Sequence, residues 1–315
     1  MARALLRGTL SLVLTLLAAS VIIFGAMQLL PGDPAEVMLG VNARPDTLAA
    51  LRAEWGLDQP VAQRYADWLA GFAVGNLGQS LTYASPVAQL VGERLVVTGP
   101  LAVLSLVLTL LLALPAGMYA AAHRGRGGDS GMLAVTQLGI AIPNFWLAML
   151  LVLVFAMTWR ILPAGGFPGW DAGVGAGLHA LALPAVALAV PQACILARVT
   201  RTALIDVLEQ DFIRTARAMG LSHGAVLRRH ALRNAMIPVL VIVGLQFPFL
   251  ISGAIIVENV FFLPGLGRLL FQAVNQRDFM VVQSVVMLLV ALVILVNFTV
   301  NAASFLIDPR LRRQS

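Results

Sequence analysis

Charged and titratable side chains are concentrated in the segment Arg214–Asn234. It reads RTARAMGLSHGAVLRRHALRN and holds five arginines and two histidines. Guanidinium groups bind carboxylates and phosphates, so the chemistry of this segment is electrostatic binding. Two uses are open. The arginines could touch lipid phosphates and orient the chain, or they could belong to an ordered surface that docks on another protein.

Patterns of catalysis and metal binding are missing from the sequence. The chain contains no lysine, which excludes a Walker A phosphate loop, and it has no HExxH or GxSxG motif. His179 and Cys194 stand near opposite ends of one apolar run, so they cannot share a metal ion. No apolar run carries the mid-membrane carboxylates that ion-driven transporters usually need. We therefore predict no catalytic residue and no metal ligand. Two classes of protein remain, a passive pore and a translocation subunit that is powered by something other than an ion gradient.

The composition is that of an integral membrane protein. Of the 315 residues 59% are hydrophobic and 11% are charged, so polar surface is too scarce to coat a soluble globule. A helix needs about 20 apolar residues to cross roughly 30 Å of hydrocarbon. Runs of this kind lie within Gly8–Gly32, Leu95–His123, Ser130–Trp159, Ala172–Ala197, Asn234–Val257 and Phe279–Ile307. The predicted fold class is an all-α membrane protein with six transmembrane helices.

The arginines indicate the orientation, because loops rich in arginine remain in the cytoplasm. With the N-terminus inside, 14 arginines lie in cytoplasmic segments and seven lie outside, whereas ten of the 15 acidic residues lie outside. Both termini are therefore predicted to be cytoplasmic. The net charge of +6 reflects this topology, and no nucleic-acid binding is expected.

The chain divides into a few predicted regions. They are an N-terminal transmembrane helix (1–32), an extracytoplasmic cap loop (33–94), a core of five transmembrane helices (95–308) with a cytoplasmic loop at 198–233, and a cytoplasmic tail (309–315). PDTLAALRAEWGL and PVAQRYADWLAGF predict short amphipathic helices in the cap. In the last outer connection, FFLPGLGRLLFQAV predicts a short apolar helix after a break at its proline and glycines. Helix breakers punctuate the spans at Pro115, Pro143, Pro184, Pro191, Pro238 and Pro248.

The cytoplasmic loop has the pattern of a helix, a glycine bend and a second helix. Apolar residues recur at helical spacing from Leu204 to Met219, and Gly220 then provides a C-terminal stop. Ser222 caps a second helix, with Val226, Leu227 and Ala231 on one side and Arg228, Arg229 and Arg233 on the other. Small residues at Ala216, Ala218 and Gly220 suggest a docking surface. The ordered pattern favours docking over orientation alone.

A family resemblance becomes specific at this loop. DFIRTARAMGLSHGAVLRRHALRNAMIP resembles the EAA loop of permease subunits in binding-protein-dependent ABC importers, above all the peptide and nickel permeases. LLPGDPAEVMLG, GNLGQSL, IPNFWLAMLLV, ENVFFLPGLGRLL and DPRLRR extend the resemblance over nearly the whole chain in the family's order. Arg214 replaces the usual glutamate, and Arg233 stands where other families have proline, which shifts the chemistry of docking from acidic to basic.

The resemblance implies a type I importer permease fold in a bacterial inner membrane. It implies a heterodimer with a second permease, two cytoplasmic ATPases that hold ATP and Mg²⁺, and an extracytoplasmic substrate-binding protein. This chain would bind no cofactor and would not itself be an enzyme. The implied ATPase-docking coupling helix comprises Arg214, Thr215, Ala216, Arg217, Ala218, Met219, Gly220, Leu221, Ser222, His223 and Gly224.

Polar residues deep in the spans are candidates for the translocation path. They are Asn144, Gln246, Ser252, Gln283 and Asn297. Each of them either faces a water-filled cavity or forms a hydrogen bond between helices. The resemblance implies di- or oligopeptide cargo, with nickel, glutathione or another small solute as alternatives. A self-sufficient channel or secondary transporter is the rival from a different class, and it would leave the arginine-rich loop unexplained.

Overall fold

The computed structural model of the chain describes residues 2–29, 34–39, 44–80 and 82–307. The predicted tail, 309–315, lies outside these ranges. The helices are α1 (Ala2–Leu29), α2 (Pro34–Leu39), α3 (Pro45–Glu54), α4 (Val61–Ala73), α5 (Val87–Ala122), α6 (Gly127–Ala141), α7 (Asn144–Leu151), α8 (Val174–Leu208), α9 (Asp211–Ala218), α10 (His223–Ala225), α11 (Leu232–Val260), α12 (Leu266–Asn275) and α13 (Phe279–Ile307). Two π-helical segments continue helices, Val152–Thr158 after α7 and Val226–Ala231 after α10.

Five helical segments within the described ranges are long and apolar enough to cross a membrane. They are Gly8–Leu29, Val87–Ala122, Val174–Leu208, Val226–Val260 and Phe279–Val300. Helices α6 and α7, with the π-helical segment that follows α7, make a sixth candidate that is bent by 98°. The third predicted span, Ser130–Trp159, is therefore a broken helix.

Pro143 explains the break between α6 and α7. Ile142 has an extended backbone (φ −83°, ψ 119°), because the ring of a following proline disfavours the helical conformation. The other interior prolines leave their helices continuous, with Pro115 inside α5, Pro184 and Pro191 inside α8, and Pro238 and Pro248 inside α11. Among these six prolines, Pro143 alone therefore breaks a helix.

The first of two compact units is built on Gly99–Leu263, together with the described residues 2–5 and 296–307. Helix α8 forms its centre and packs against α6, α7 and α11. Small residues allow close packing, because a Cβ at Gly117 would lie 2.6 Å from the Cβ of Thr200 on α8. Small residues of this kind are typical of helix interfaces in membranes.

The second unit contains residues 6–98 and 264–295. The predicted short helices are confirmed as α3, α4 and α12. Helix α4 is held on α1 by aromatic packing, with the ring of Phe24 5.4 Å from Tyr65 and 5.9 Å from Trp68. The hydroxyl groups of Tyr65 and Ser20 also share a hydrogen bond of 2.8 Å. These contacts attach α4 to α1 through large aromatic rings, of which Phe24 is buried and Tyr65 and Trp68 are half-buried.

Candidate functional site

Helix α8 continues to Leu208, past the predicted end of the fourth span, and a turn at Glu209–Gln210 separates it from α9. The apolar spacing from Leu204 to Met219 predicts one helix, and that prediction was wrong at this turn. Gln210 is extended (φ −74°, ψ 151°), so the chain changes direction before α9. The change of direction brings Ile213 and Ala216 into a shared core with the end of α8.

Helix α9 begins with contacts made by Asp211. The Arg214 guanidinium donates to the Asp211 carboxylate over 3.3 Å, and the Thr215 hydroxyl donates to the Asp211 carbonyl over 3.2 Å. An acidic residue in the first turn and Arg217 in the last turn both complement the helix dipole. Short as it is, α9 therefore carries favourable charges at both ends.

Gly220 ends this helix through a pair of backbone hydrogen bonds. The Leu221 amide donates to the Ala216 carbonyl over 3.4 Å, and the Gly220 amide donates to the Arg217 carbonyl over 3.0 Å. This pairing is the Schellman motif, which needs a left-handed residue at the glycine position. Gly220 has φ +84°, so the predicted C-terminal stop is confirmed.

Ser222 begins the second helix of the loop. Its hydroxyl oxygen accepts from the Ala225 amide over 3.4 Å, a long capping bond, and its carbonyl accepts from the Val226 amide over 3.0 Å. Val226, Leu227 and Ala231 are buried, whereas Arg228, Arg229 and Arg233 are exposed, as the sequence predicts. The conformation differs from the prediction, since Val226–Ala231 is π-helical before α11 begins.

These helices share one apolar core with the ends of three spans. Ile213 and Ala216 of α9 pack with residues of α8, with Ala121 of α5, and with Ala231 and Ala235 near the start of α11. The core consists of aliphatic and alanine side chains, and Ile213 is fully buried. We call residues 118–122 and 203–235 the loop block. A displacement of α9 is expected to carry these helix ends with it, because packed apolar interiors resist deformation.

Two ion pairs attach the turn after α5 and the first turn of α6 to α8 and the residue that follows it. The Asp129 carboxylate accepts two hydrogen bonds from the Arg201 guanidinium, at 2.5 and 2.6 Å, and a third from the Gly125 amide at 3.0 Å. Asp129 is buried, and this bidentate geometry is the strongest that arginine forms. Arg124 pairs with Glu209 in a more exposed contact. The sequence analysis missed the first pair, whose only sequence signal is an acid at the end of an apolar run.

The outer face of α9 carries mixed apolar and basic groups. Phe212 and Met219 are exposed, Met219 by 71%, and residues seven apart lie on one helix face. Arg214, Thr215, Arg217, Ala218, Gly220, Ser222 and Gly224 are also exposed, Leu221 is half-buried, and the side chain of His223 lies outside the description. The expected surface of small residues was wrong for Ala216, which is buried in the core of the loop block. Phe212 is an exposed apolar residue that the candidate set omitted.

The five candidates for the translocation path have different surroundings. Gln246 is buried, and its amide donates to the Gln192 carbonyl of α8 over 3.1 Å. Asn144 is half-buried at the start of α7, where its amide nitrogen lies 2.6 Å from the place that a Cβ at Gly253 would occupy. Gln283 is buried, Asn297 is half-buried and Ser252 is exposed. Their assignment to a path stays a prediction.

Metal ligands do not cluster in the part of the chain that the structure describes, where no three His, Cys, Asp or Glu side chains meet. His179 lies with a ring nitrogen 3.3 Å from the Ile161 carbonyl. Cys194 is half-buried and packs beside Gly139 of α6. The two residues have separate surroundings.

Known sequences resemble this chain over almost its full length. The profile described as "Binding-protein-dependent transport system inner membrane component" matches residues 113–313, and the corresponding N-terminal profile matches residues 1–102. A putative peptide transport system permease protein of Brucella abortus (strain 2308) is 41% identical over 298 residues, which cover 94% of this chain and 95% of that protein. The glutathione transport system permease protein GsiC of Escherichia coli (strain K12) is 38% identical over 307 residues, 98% of each chain.

A solved structure resembles the fold. The MetNI methionine ABC transporter in an inward-facing conformation contains a chain that matches with a TM-score of 0.59 at 19% identity. The match covers 70% of this chain and 97% of that chain. The helical architecture is therefore that of an ABC importer permease.

Proposed function

The chain belongs to the family of binding-protein-dependent transport system inner membrane components, and we propose that it forms the channel of an ATP-driven importer for small peptides. The family and the apolar helices make it a multi-pass protein of the bacterial inner membrane and a permease subunit. The proposal adds the cargo, the coupling to ATP hydrolysis, and a heterodimer with a second permease.

The two faces of α9 support the coupling. Ile213 and Ala216 are buried in a core shared with three spans, while Phe212, Arg217 and Met219 face outward. Exposed apolar side chains beside arginines are typical of a docking surface, where they are buried only on binding. We assign residues 214–224 to contact with a partner ATPase. Movement of the ATPases then shifts the spans as rigid bodies and alternates access to the path.

The cargo proposal rests on two relatives. One is named for peptide transport and the other for glutathione transport, and glutathione is itself a tripeptide. Both match this chain over 94% or more of its length, and the cargo chemistry that their names share is a small molecule that contains peptide bonds. Nickel and other solutes remain the competing cargo.

The partners follow from the same proposal. Two cytoplasmic ATPases hold ATP and Mg²⁺, an extracytoplasmic binding protein delivers cargo, and a second permease completes the channel. This chain contributes no catalytic group and binds no cofactor in this scheme. Selectivity then lies mainly in the binding protein.

The test is a charge reversal and a bulky substitution on the outer face of α9. Arg217→Glu and Gly220→Trp are expected to reduce peptide uptake at least tenfold, because both alter the surface that the ATPase contacts. The measurement combines uptake of a labelled dipeptide by cells with the amount of ATPase that copurifies with the tagged chain in mild detergent.

Membrane insertion and retention of the ATPase show whether a loss of uptake comes from lost docking or from a chain that fails to insert. Arg44→Glu reverses an exposed charge far along the sequence from α9 and is expected to leave ATPase retention unchanged. Normal uptake in the Arg217→Glu and Gly220→Trp variants, at wild-type levels in the membrane, would contradict the docking assignment.

A further inference from the structure

A cavity of about 360 Å³ lies within the second unit, and the mechanism above does not use it. Its walls come from Phe24 of α1, from the turn before α4, from α4 itself, from residues 76–78 and from the start of α13. Its volume falls in the range of small-molecule sites, which is about 300 to 1,000 Å³. We call it the cap cavity. By the predicted topology it opens on the extracytoplasmic side.

Specific contacts hold the walls of the cap cavity in place. Residues 76–78 are attached to α13 because the Ser284 hydroxyl donates to the Leu77 carbonyl over 2.8 Å. Asp278, which is fully buried, accepts from the Ser80 hydroxyl at 2.5 Å and from the Thr82 and Val281 amides at 3.1 and 3.2 Å. The aromatic rings of α1 and α4 fix the opposite wall. The cavity is therefore a formed site.

A cation and an anion line this cavity without pairing with each other. Arg64 and Asp67 are one helical turn apart on α4, yet no ion pair joins them within 4.0 Å among the described residues. In the described part of the chain, the Arg64 guanidinium donates to the neutral side-chain amide of Gln28, over 3.4 Å. Arg64 is half-buried and Asp67 is exposed, so both side chains can contact another molecule at the cavity.

Polar and aromatic groups line the same cavity. Gln283 is 7% exposed and its amide nitrogen has no hydrogen-bond partner in the described part of the chain. Buried amides without partners are rare in folded proteins, and such groups are commonly satisfied by a bound molecule or water. Trp55 and Trp68 add aromatic surface to the wall. Arg64, Asp67 and Gln283 together suit a ligand that carries an anionic oxygen, an ammonium group and an amide.

We propose that the cap cavity binds a small zwitterion of the unblocked dipeptide type, with its carboxylate at Arg64 and its ammonium group at Asp67. The inference rests on the proposed function, because it makes this zwitterion the peptide cargo on its way to the channel. A phospholipid headgroup with an ammonium and a phosphate has related chemistry. The free peptide is favoured because the site also offers an amide and aromatic rings.

The experiment measures binding to the assembled transporter in phosphatidylglycerol nanodiscs without the binding protein. Ligand-observed NMR compares L-alanyl-L-alanine with its N-acetylated and C-amidated forms, and phosphoethanolamine is a second probe. We expect the free dipeptide to bind and each blocked form to bind roughly tenfold more weakly, since each loses one charge-assisted contact. Equal binding of free and blocked peptides, or binding of phosphoethanolamine alone, would overturn the assignment.

Substitutions identify the cavity as the place of binding. Arg64→Gln and Asp67→Asn are each expected to weaken dipeptide binding roughly tenfold. The matched variants Arg44→Gln and Asp46→Asn change exposed charges in the same predicted extracytoplasmic segment and should bind the dipeptide normally. Asp67→Asn should lose the discrimination against the N-acetylated form while keeping it against the C-amidated form. A general folding defect would not produce this selective loss of discrimination. If Asp67→Asn still discriminates against the N-acetylated form, the proposal is contradicted.

Uptake separates this inference from the proposed function. If the full system with its binding protein imports the dipeptide but the nanodisc complex does not bind it, the cap cavity assignment fails and the importer stands. If dipeptide binds at Arg64 and Asp67 but is not imported, the cargo assignment fails and the cavity stands.

Discussion

The loop block and the cap cavity are built from different kinds of side chain. The loop block encloses alanine, valine, leucine and isoleucine, and all five of its arginines lie on the surface. The walls of the cap cavity carry aromatic rings, two unpaired charges and a buried amide around empty space. A packed aliphatic core suits a part that transmits displacement, because close-packed side chains resist deformation. A walled polar cavity suits a part that admits a molecule.

The largest expected effect tests whether the loop block depends on its apolar core. Ile213→Asp places a carboxylate at a fully buried position, which costs roughly 4 kcal/mol or more in folding free energy. We expect little folded protein in the membrane, measured by size-exclusion chromatography of the extracted chain.

The adjacent residue is the control for this variant. Phe212 is exposed on the same helix, so Phe212→Asp should leave the elution profile unchanged while it reduces copurification of the ATPase. Similar folding defects in both variants would show that α9 does not have one buried and one free face.

The second effect tests whether the cap depends on a buried charge. Asp278→Ala removes the acceptor of three hydrogen bonds, and the buried Ser80 hydroxyl loses the carboxylate to which it donates. We expect a loss of about 3 kcal/mol, seen as a lower thermal unfolding midpoint of the purified complex. Ser284→Ala removes one neutral hydrogen bond and should cost about 1 kcal/mol. An equal fall in both variants would argue against a special role for the carboxylate.

The smallest effect concerns backbone strain at the end of α9. Gly220→Ala forces a side chain into a left-handed conformation and should cost about 1 kcal/mol, although nothing lies within 4 Å of the new Cβ. Gly224→Ala adds the same methyl group in α10, where alanine is favoured over glycine, and should be neutral or slightly stabilising. Thermal unfolding of both variants measures the difference, and equal midpoints would mean that the conformation of Gly220 is not strained by a side chain.

Local signals in the sequence predicted much of this fold. Apolar runs located the spans because hydrocarbon imposes one length on every crossing helix. Gly220 and Ser222 located the bend in the loop because helix ends need specific partners for their backbone groups. These features depend on neighbours in the sequence. The structure confirms the bend, and it has helices over all six apolar runs, one of them broken at Pro143.

Features that depend on distant residues were not predictable. The turn at Glu209–Gln210 allows Ile213 to pack against the end of α8. The apolar spacing alone is equally compatible with one straight helix, so it could not predict this turn. The burial of Ala216 follows from the same packing. The pair of Asp129 with Arg201 joins residues 72 positions apart, which no local pattern shows. The meeting of Gln283 with Arg64 and Asp67 around one cavity likewise depends on two helices that are distant in the sequence, α4 and α13.

The break at Pro143 also restricts what surrounds the protein. Helix α6 has 15 residues, so from its predicted cytoplasmic start it rises about 22 Å and places the corner inside roughly 30 Å of hydrocarbon. The last carbonyls of α6 and the first amides of α7 lose helical partners there, and acyl chains cannot replace them. On the predicted topology we therefore expect the annular lipid to end before this corner, so that Ile142 and Asn144 meet either hydration water or protein.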